Sequence, residues 1–240
     1  MDYHDVLARM GVANAHPGGQ DATDFWLSQI NLHEHTSVLD VGCGNGATAC
    51  EMARKWNCDV TAIDIRPRMV KNTKKRALQQ GLSVQALQAS AEALPFTDHT
   101  FDFIACESVL VFVDNERALR EFFRVLKPGG QMVDVEMLLL RPVTKAWKDE
   151  VKRIYGALEV PDLGTWKRKF QAVGFSPIRV LRSGPIDALT ASGNQSDNSF
   201  VDASALSDPK VLRIVEENGH WLQANQRIMG YGIFLLTKHH

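Results

Sequence analysis

Three glycines at alternate positions, Gly42, Gly44 and Gly46, follow directly on an apolar run that ends in Asp40 and Val41. Glycine has no Cβ, so a ligand can lie against such a loop while the N-terminus of the next helix faces it. The spacing is G-x-G-x-G with Ala47 behind it. Dinucleotide folds use G-x-G-x-x-G, in which the third glycine packs helix on strand. They also favour an apolar residue where Asp40 stands, whereas a carboxylate there suits a ligand bearing an ammonium group. Asp64 lies about 18 residues beyond Gly46, at the position of a βαβ unit that overhangs a ribose, where a carboxylate can accept from both hydroxyls. The expectation is a nucleotide-like ligand with a cationic end.

Two further side chains are candidates for proton chemistry. Glu107, with Ser108, closes the fourth predicted strand, on the edge where open α/β sheets hold ligands. It reads either as a lining residue that could serve as general base toward a hydroxyl or amine, or as a capping or ion-paired glutamate. His16 lies in the turn Asn14-Ala15-His16-Pro17-Gly18-Gly19, and is an acceptor-side base if that turn closes over a site. A plain interhelix turn is the simpler reading. His33-Glu34-His35 lacks the helical spacing of a zinc pair, and no metal is expected.

The elements that must position these residues alternate from residue 36 onward. Residues 37–43, 59–65, 83–90, 101–108 and 131–140 read as strands, and 48–56, 66–80 and 115–126 as helices. Pro67 suits a first helical turn, Gly81 a helix end, and Pro128-Gly129-Gly130 a turn into the fifth strand. Strands separated by helices imply a parallel, doubly wound sheet covered on both faces. Beyond residue 141 the order changes: helices at 143–155 and 163–172, a strand at 176–181, a polar surface loop at 183–207, a helix at 209–226 and a last strand at 230–238. The last strand completes a seven-stranded sheet with an antiparallel edge and a lid-like insert. The expected division is a helical cap over 1–35, a ligand-binding core over 36–140, and completion of the sheet with a helical substrate-side insert over 141–240, all one structural domain.

Composition narrows the function. The 240 residues are 45% hydrophobic and 23% charged, ample for one sizeable core. Net charge is −1, which argues against a protein that holds nucleic acid by neutralising phosphates; Lys74-Lys75-Arg76 and Lys167-Arg168-Lys169 read as solvated helix faces. No apolar run is long enough for a membrane span. Cys43, Cys50, Cys58 and Cys106 never form CxxC, which suggests reduced thiols in a cytoplasmic protein.

The stretch Val38-Leu39-Asp40-Val41-Gly42-Cys43-Gly44-Asn45-Gly46 resembles the first motif of class I S-adenosylmethionine-dependent methyltransferases. Glu92-Ala93-Leu94-Pro95-Phe96, continuing to Phe101-Asp102, and Arg124-Val125-Leu126-Lys127-Pro128-Gly129-Gly130 are similar to the UbiE-like small-molecule type. The turn before Phe175 resembles a later family motif. The resemblance implies a Rossmann-like, mostly parallel sheet and S-adenosylmethionine as cofactor, the ammonium of its methionine end matching Asp40. It implies that Asp64 carries the ribose and that Ile65 packs on adenine. Ser90 stands where the family usually has an aspartate that accepts from the adenine amino group, so that contact is expected from Ser90, the Ala91 backbone or Glu92; Glu107 would line the methionine end. The implied reaction is direct transfer of a methyl group to a small-molecule acceptor. Two alternatives stand beside it: a tRNA or protein acceptor, and a cofactor-binding protein without transfer activity. Neither the acceptor nor the oligomeric state is legible.

Overall fold

A computed structural model describes residues 1–186 and 202–239. Two helices, α1 (Tyr3–Met10) and α2 (Gly19–Gln29), precede the sheet. The alternating part runs β1 (Ser37–Val41), α3 (Ala47–Trp56), β2 (Asp59–Asp64), α4 (Pro67–Gln79), β3 (Val84–Gln88), β4 (Phe101–Glu107), α5 (Asn115–Val125) and β5 (Leu126–Leu139). Then follow α6 (Lys145–Tyr155), α7 (Leu163–Val173), β6 (Phe175–Pro185), α8 (Pro209–Asn225) and β7 (Met229–Lys238). Among the described residues no helix is long and apolar enough to cross a membrane.

The seven strands lie in the order β3-β2-β1-β4-β5-β7-β6. All neighbours are parallel except β7, which runs antiparallel to both β5 and β6. This is the expected Rossmann-like sheet with its antiparallel last strand. The parallel strands are apolar almost throughout because helices cover both faces. On one face Trp26 of α2 and Met52 of α3 pack on Phe103 and Val135. On the other, Phe122 of α5 and Trp166 and Phe170 of α7 pack on Ile104 and Phe234. Helix starts are fixed by side chains that accept orphan amides, as Asp114 does for Arg117, Thr144 for Trp147 and Asp162 for Thr165. The strand order reverses between β1 and β4, which opens a crevice at their C-terminal ends, and the candidate residues converge there.

Three boundaries differ from the sequence expectation. β5 begins at Leu126, so Pro128-Gly129-Gly130 lies within the strand; Phe101 pairs with Leu126, and a register shift between Phe101 and Phe103 absorbs the extra residues. β6 continues through Ser183-Gly184-Pro185, which pair with Gly232, Tyr231 and Gly230. The loop expected over 183–207 is thus shorter: Ala203–Ser207 forms a 3-10 turn, and residues 187–201 lie outside the described residues. Finally, β3 ends at Gln88, leaving Ser90 in an isolated bridge with Ala93.

Candidate active site

The crevice encloses a cavity of about 630 Å³. Its floor is the turn from β1 into α3. Gly42, Gly44 and Gly46 all have positive φ, at 70°, 53° and 78°. A Cβ at Gly42 would come within 2.4 Å of Val109 Cγ2, while the space at Gly44 is open. Gly46 lies behind the lining as the N-cap of α3, and a Cβ there would meet Thr73 at 2.7 Å. Gly42 and Gly44 therefore bring backbone to the cavity, and Gly46 lets the loop close on α4.

Asp40 is buried beneath this loop and faces the cavity, and its Oδ2 has no hydrogen-bond partner. Burial, reinforced by the charges of Glu107 and Asp64, pushes its carboxyl well above the usual carboxylate range, while the Ala49 amide opposes the rise. An orphaned buried acceptor costs about 1–3 kcal/mol, so this position favours a hydrogen-bond donor. Asp64, at the end of β2, accepts from Gly44 N at 3.0 Å and Arg66 N at 2.8 Å. Burial raises its pKa, and these amides partly offset that. Each oxygen keeps a lone pair for a hydroxyl. Ile65 is 54% exposed and lines the cavity with an apolar surface. Ser90, Ala91 and Glu92 also line it; Ser90 Oγ accepts from Glu92 N, and Glu92 Oε1 accepts from Asp114 N.

Glu107 lines the cavity and accepts three side-chain hydrogen bonds. Its Oε1 accepts from Thr23 Oγ1 at 2.7 Å and Trp26 Nε1 at 2.8 Å, and its Oε2 from Thr48 Oγ1 at 2.7 Å. His16 Nε2 lies 3.0 Å from Thr23 Oγ1 and 3.4 Å from Glu107 Oε1. Since the Thr23 hydroxyl spends its one hydrogen on Glu107, His16 Nε2 donates to Thr23. Glu107 thus ties α2 and the His16 turn to the sheet. Two more ties hold the N-terminal segment to the glycine loop and the start of α4: Asn45 Nδ2 donates to Gly11 O at 2.8 Å, and Arg66 pairs with Asp2 and Asp5.

The far end of the cavity is built mostly from residues the sequence does not single out. Tyr3 and His4 of α1, Phe112, Tyr155 of α6, Leu222 of α8 and Met229 of β7 close it. Tyr3 and Tyr155 meet edge-on with ring centroids 5.1 Å apart, and His4 meets Phe112 at 4.3 Å. Burial pushes the Tyr3 phenol up to about 12 and, with Arg66 beside it, lowers His4 to about 4, so both are neutral at physiological pH. Among the described lining residues Arg66 is the only lysine or arginine, and Asp2 and Asp5 engage it. Cys43, a free thiol, lines the cavity, and burial raises its pKa.

Comparison with known proteins places the chain. A family model described as a methyltransferase domain matches residues 39–134. An uncharacterized methyltransferase, YodH, of Bacillus subtilis (strain 168) is 30% identical over 98% of this chain and 99% of its own length. The ubiquinone/menaquinone biosynthesis C-methyltransferase UbiE of Serratia proteamaculans (strain 568) is 34% identical over 78% of this chain and 79% of its own length. Among solved structures, the [4+2]-cyclase SpnF superposes with a TM-score of 0.77 at 22% identity, over 98% of this chain and 93% of that one. At that identity the likeness is one of fold.

Proposed function

This chain belongs to the class I S-adenosylmethionine-dependent methyltransferases of the UbiE-like type, and we propose that it methylates a small, uncharged, largely apolar acceptor by direct displacement. One observation carries the acceptor class: the far end of the cavity is apolar and aromatic, and the single lining guanidinium is committed to Asp2 and Asp5. An anionic acceptor would meet Asp2, Asp40, Asp64, Glu92 and Glu107 with no cation to spare among the described lining residues. That is electrostatically adverse.

The residues at the glycine end fit the cofactor. The orphaned Asp40 Oδ2 would take the ammonium, Asp64 the ribose hydroxyls, Ile65 the adenine face, and Ser90, Ala91 or Glu92 its edge; Gly42 and Gly44 let the chain approach closely. When bound, the cofactor supplies an activated methyl on a sulfonium whose departure leaves a neutral thioether. The protein's own part is alignment and exclusion of water, and alignment alone can supply about 7–11 kcal/mol of rate enhancement. The three ties at Glu107, Asn45 and Arg66 hold the N-terminal helices over the cavity for that purpose. With its oxygens accepting three hydrogen bonds, Glu107 acts as a fastener of the cap, and His16 with it.

The test is incubation with methyl-labelled cofactor and cell extract separated into polar metabolites, organic-soluble metabolites, RNA and protein. Label in the organic-soluble fraction supports the proposal. Label confined to RNA or protein would favour a macromolecular acceptor. Cofactor binding with no labelled fraction would favour a binding protein without transfer activity.

A further inference from the structure

The loop that leaves β4 is the cavity wall facing the glycine turn, and it is held from behind by a buried acid in the middle of β5. Ser108, the first residue of the loop, is left-handed at φ 59°, costly for a non-glycine residue, and its N–H donates to Val135 O at 2.7 Å. The next two amides, Val109 N and Leu110 N, both donate to Glu136 Oε1, at 2.7 and 2.6 Å. A 3-10 turn over Leu110–Phe112 follows. Ser108, Val109 and Phe112 line the cavity, and Val109 Cγ2 fills the space in front of Gly42.

Glu136 is fully buried, as is Asp134 two residues before it. Donor atoms of Cys106, Asp134 and Glu136 all lie within 4.8 Å of one another. Burying a charge is costly unless it is paired or hydrogen-bonded, and an apolar side chain would serve the core of a parallel sheet better. The two loop amides are what a carboxylate at 136 gains that an apolar residue would forgo. Burial and the neighbouring Glu136 raise the Asp134 pKa well above the usual carboxylate range.

We propose that Glu136 is a positioning residue of the cofactor site: by gripping the amides of Val109 and Leu110 it sets Val109 against Gly42 and so fixes the width of the cleft between the β4 loop and the glycine turn. This rests on the cofactor reading above. Glu136 acts at one remove, since its side chain meets the loop backbone and not the ligand.

The position of the acceptor oxygen, rather than its charge, is then decisive, and two conservative variants separate these. Glu136→Gln keeps an oxygen at the same reach and removes the acid; Glu136→Asp keeps the acid and withdraws it by one methylene. Calorimetric titration of S-adenosylhomocysteine into the full chain is the readout, with amide NMR shifts of Val109 and Leu110 as the second signature. Glu136→Gln is expected to bind within about threefold of wild type, and Glu136→Asp at least about tenfold more weakly (about 1.4 kcal/mol), with both amide protons moved upfield in the latter. A merely structural role would lower both unfolding midpoints and leave both affinities alone; that result overturns the proposal, as does equal loss in the two variants. Should Glu136→Asp fail to fold, Val109→Ala carries the test, because it removes the contact with Gly42 without touching Glu136. It is expected to weaken binding several-fold, and unchanged binding overturns the proposal. Failure of wild type to bind S-adenosylhomocysteine would instead sink the cofactor reading.

Discussion

The two ends of the cavity are made in different ways. The proposed cofactor end is drawn from the ends of the first three strands, chiefly the β1–α3 turn and the end of β2, where hydrogen bonds such as Gly44 N to Asp64 Oδ2 fix the geometry. It is acidic, and backbone comes to the surface at glycines with positive φ. The far end takes single residues from α1, α6, α8 and β7 and holds them by aromatic and aliphatic packing. A constant ligand with charged groups is served by a local, backbone-defined cradle. A variable acceptor is served by side chains on separate elements, each of which can change without disturbing the sheet. A change at one end should therefore leave the other end's ligand alone.

The largest expected effect comes from filling the cradle. Gly42→Val places a branched side chain at φ 70° against Val109, and should cost more than about 2 kcal/mol of stability and abolish measurable S-adenosylhomocysteine binding. Gly44→Ala, with open space around it, should cost only about 1 kcal/mol while still weakening binding, as thermal melts beside calorimetry would show.

Next is a substitution whose two readouts should move in opposite directions. Asp40→Asn removes a buried carboxyl whose pKa is raised by folding, a shift that costs stability above the unfolded pKa, so the ligand-free protein should gain about 1 kcal/mol while cofactor affinity falls about tenfold. If affinity and stability fall together, Asp40 is structural and the cofactor end loses its cation site.

At the far end, Leu222→Ala and Tyr3→Phe should leave S-adenosylhomocysteine affinity within about twofold. Turnover of whichever acceptor the labelling identifies should change by up to about tenfold. A tenfold loss of cofactor affinity in either variant would merge the two ends into one site.

The smallest effect is on pH. Burial pushes the Glu136 carboxyl up to about 8 from an unfolded value of 4.5. The folded state then binds a proton that the unfolded state has released, so stability from this group falls as pH rises between those values. Glu136→Gln should flatten the decline of melting temperature with pH in that window; an unchanged slope would remove Glu136 from the pH response.

How much was legible in the sequence follows the same division. The strand–helix alternation, the antiparallel last strand and the converging acids Asp40 and Asp64 could be read because each rests on residues close in sequence. Tyr3, His4, Leu222 and Met229 could not, and Tyr155 could be noted only as one of several late aromatics fit for core or pocket, since an aromatic or apolar residue on an amphipathic helix carries the same signal whether it faces core or cavity. Glu136 was hidden inside a strand that read as buried, and its partners lie in the loop after β4. The boundaries that shifted were those where turn-forming residues were overridden by pairing: Pro128-Gly129-Gly130 at the start of β5, and Ser183-Gly184-Pro185 against Gly230, Tyr231 and Gly232. Glu107 looked like a possible base because it ends a strand; its engagement by Thr23, Trp26 and Thr48 depends on how α2 and α3 pack, which no local pattern reports.

The most direct test of the division is calorimetric titration of S-adenosylhomocysteine into wild type, Asp64→Ala and Leu222→Ala. The expected result is tight binding to wild type, weakening of at least about tenfold in Asp64→Ala, and an affinity within about twofold of wild type in Leu222→Ala. Equal binding by Asp64→Ala and wild type, or loss of binding in Leu222→Ala alone, would contradict the placement of the cofactor at the glycine end.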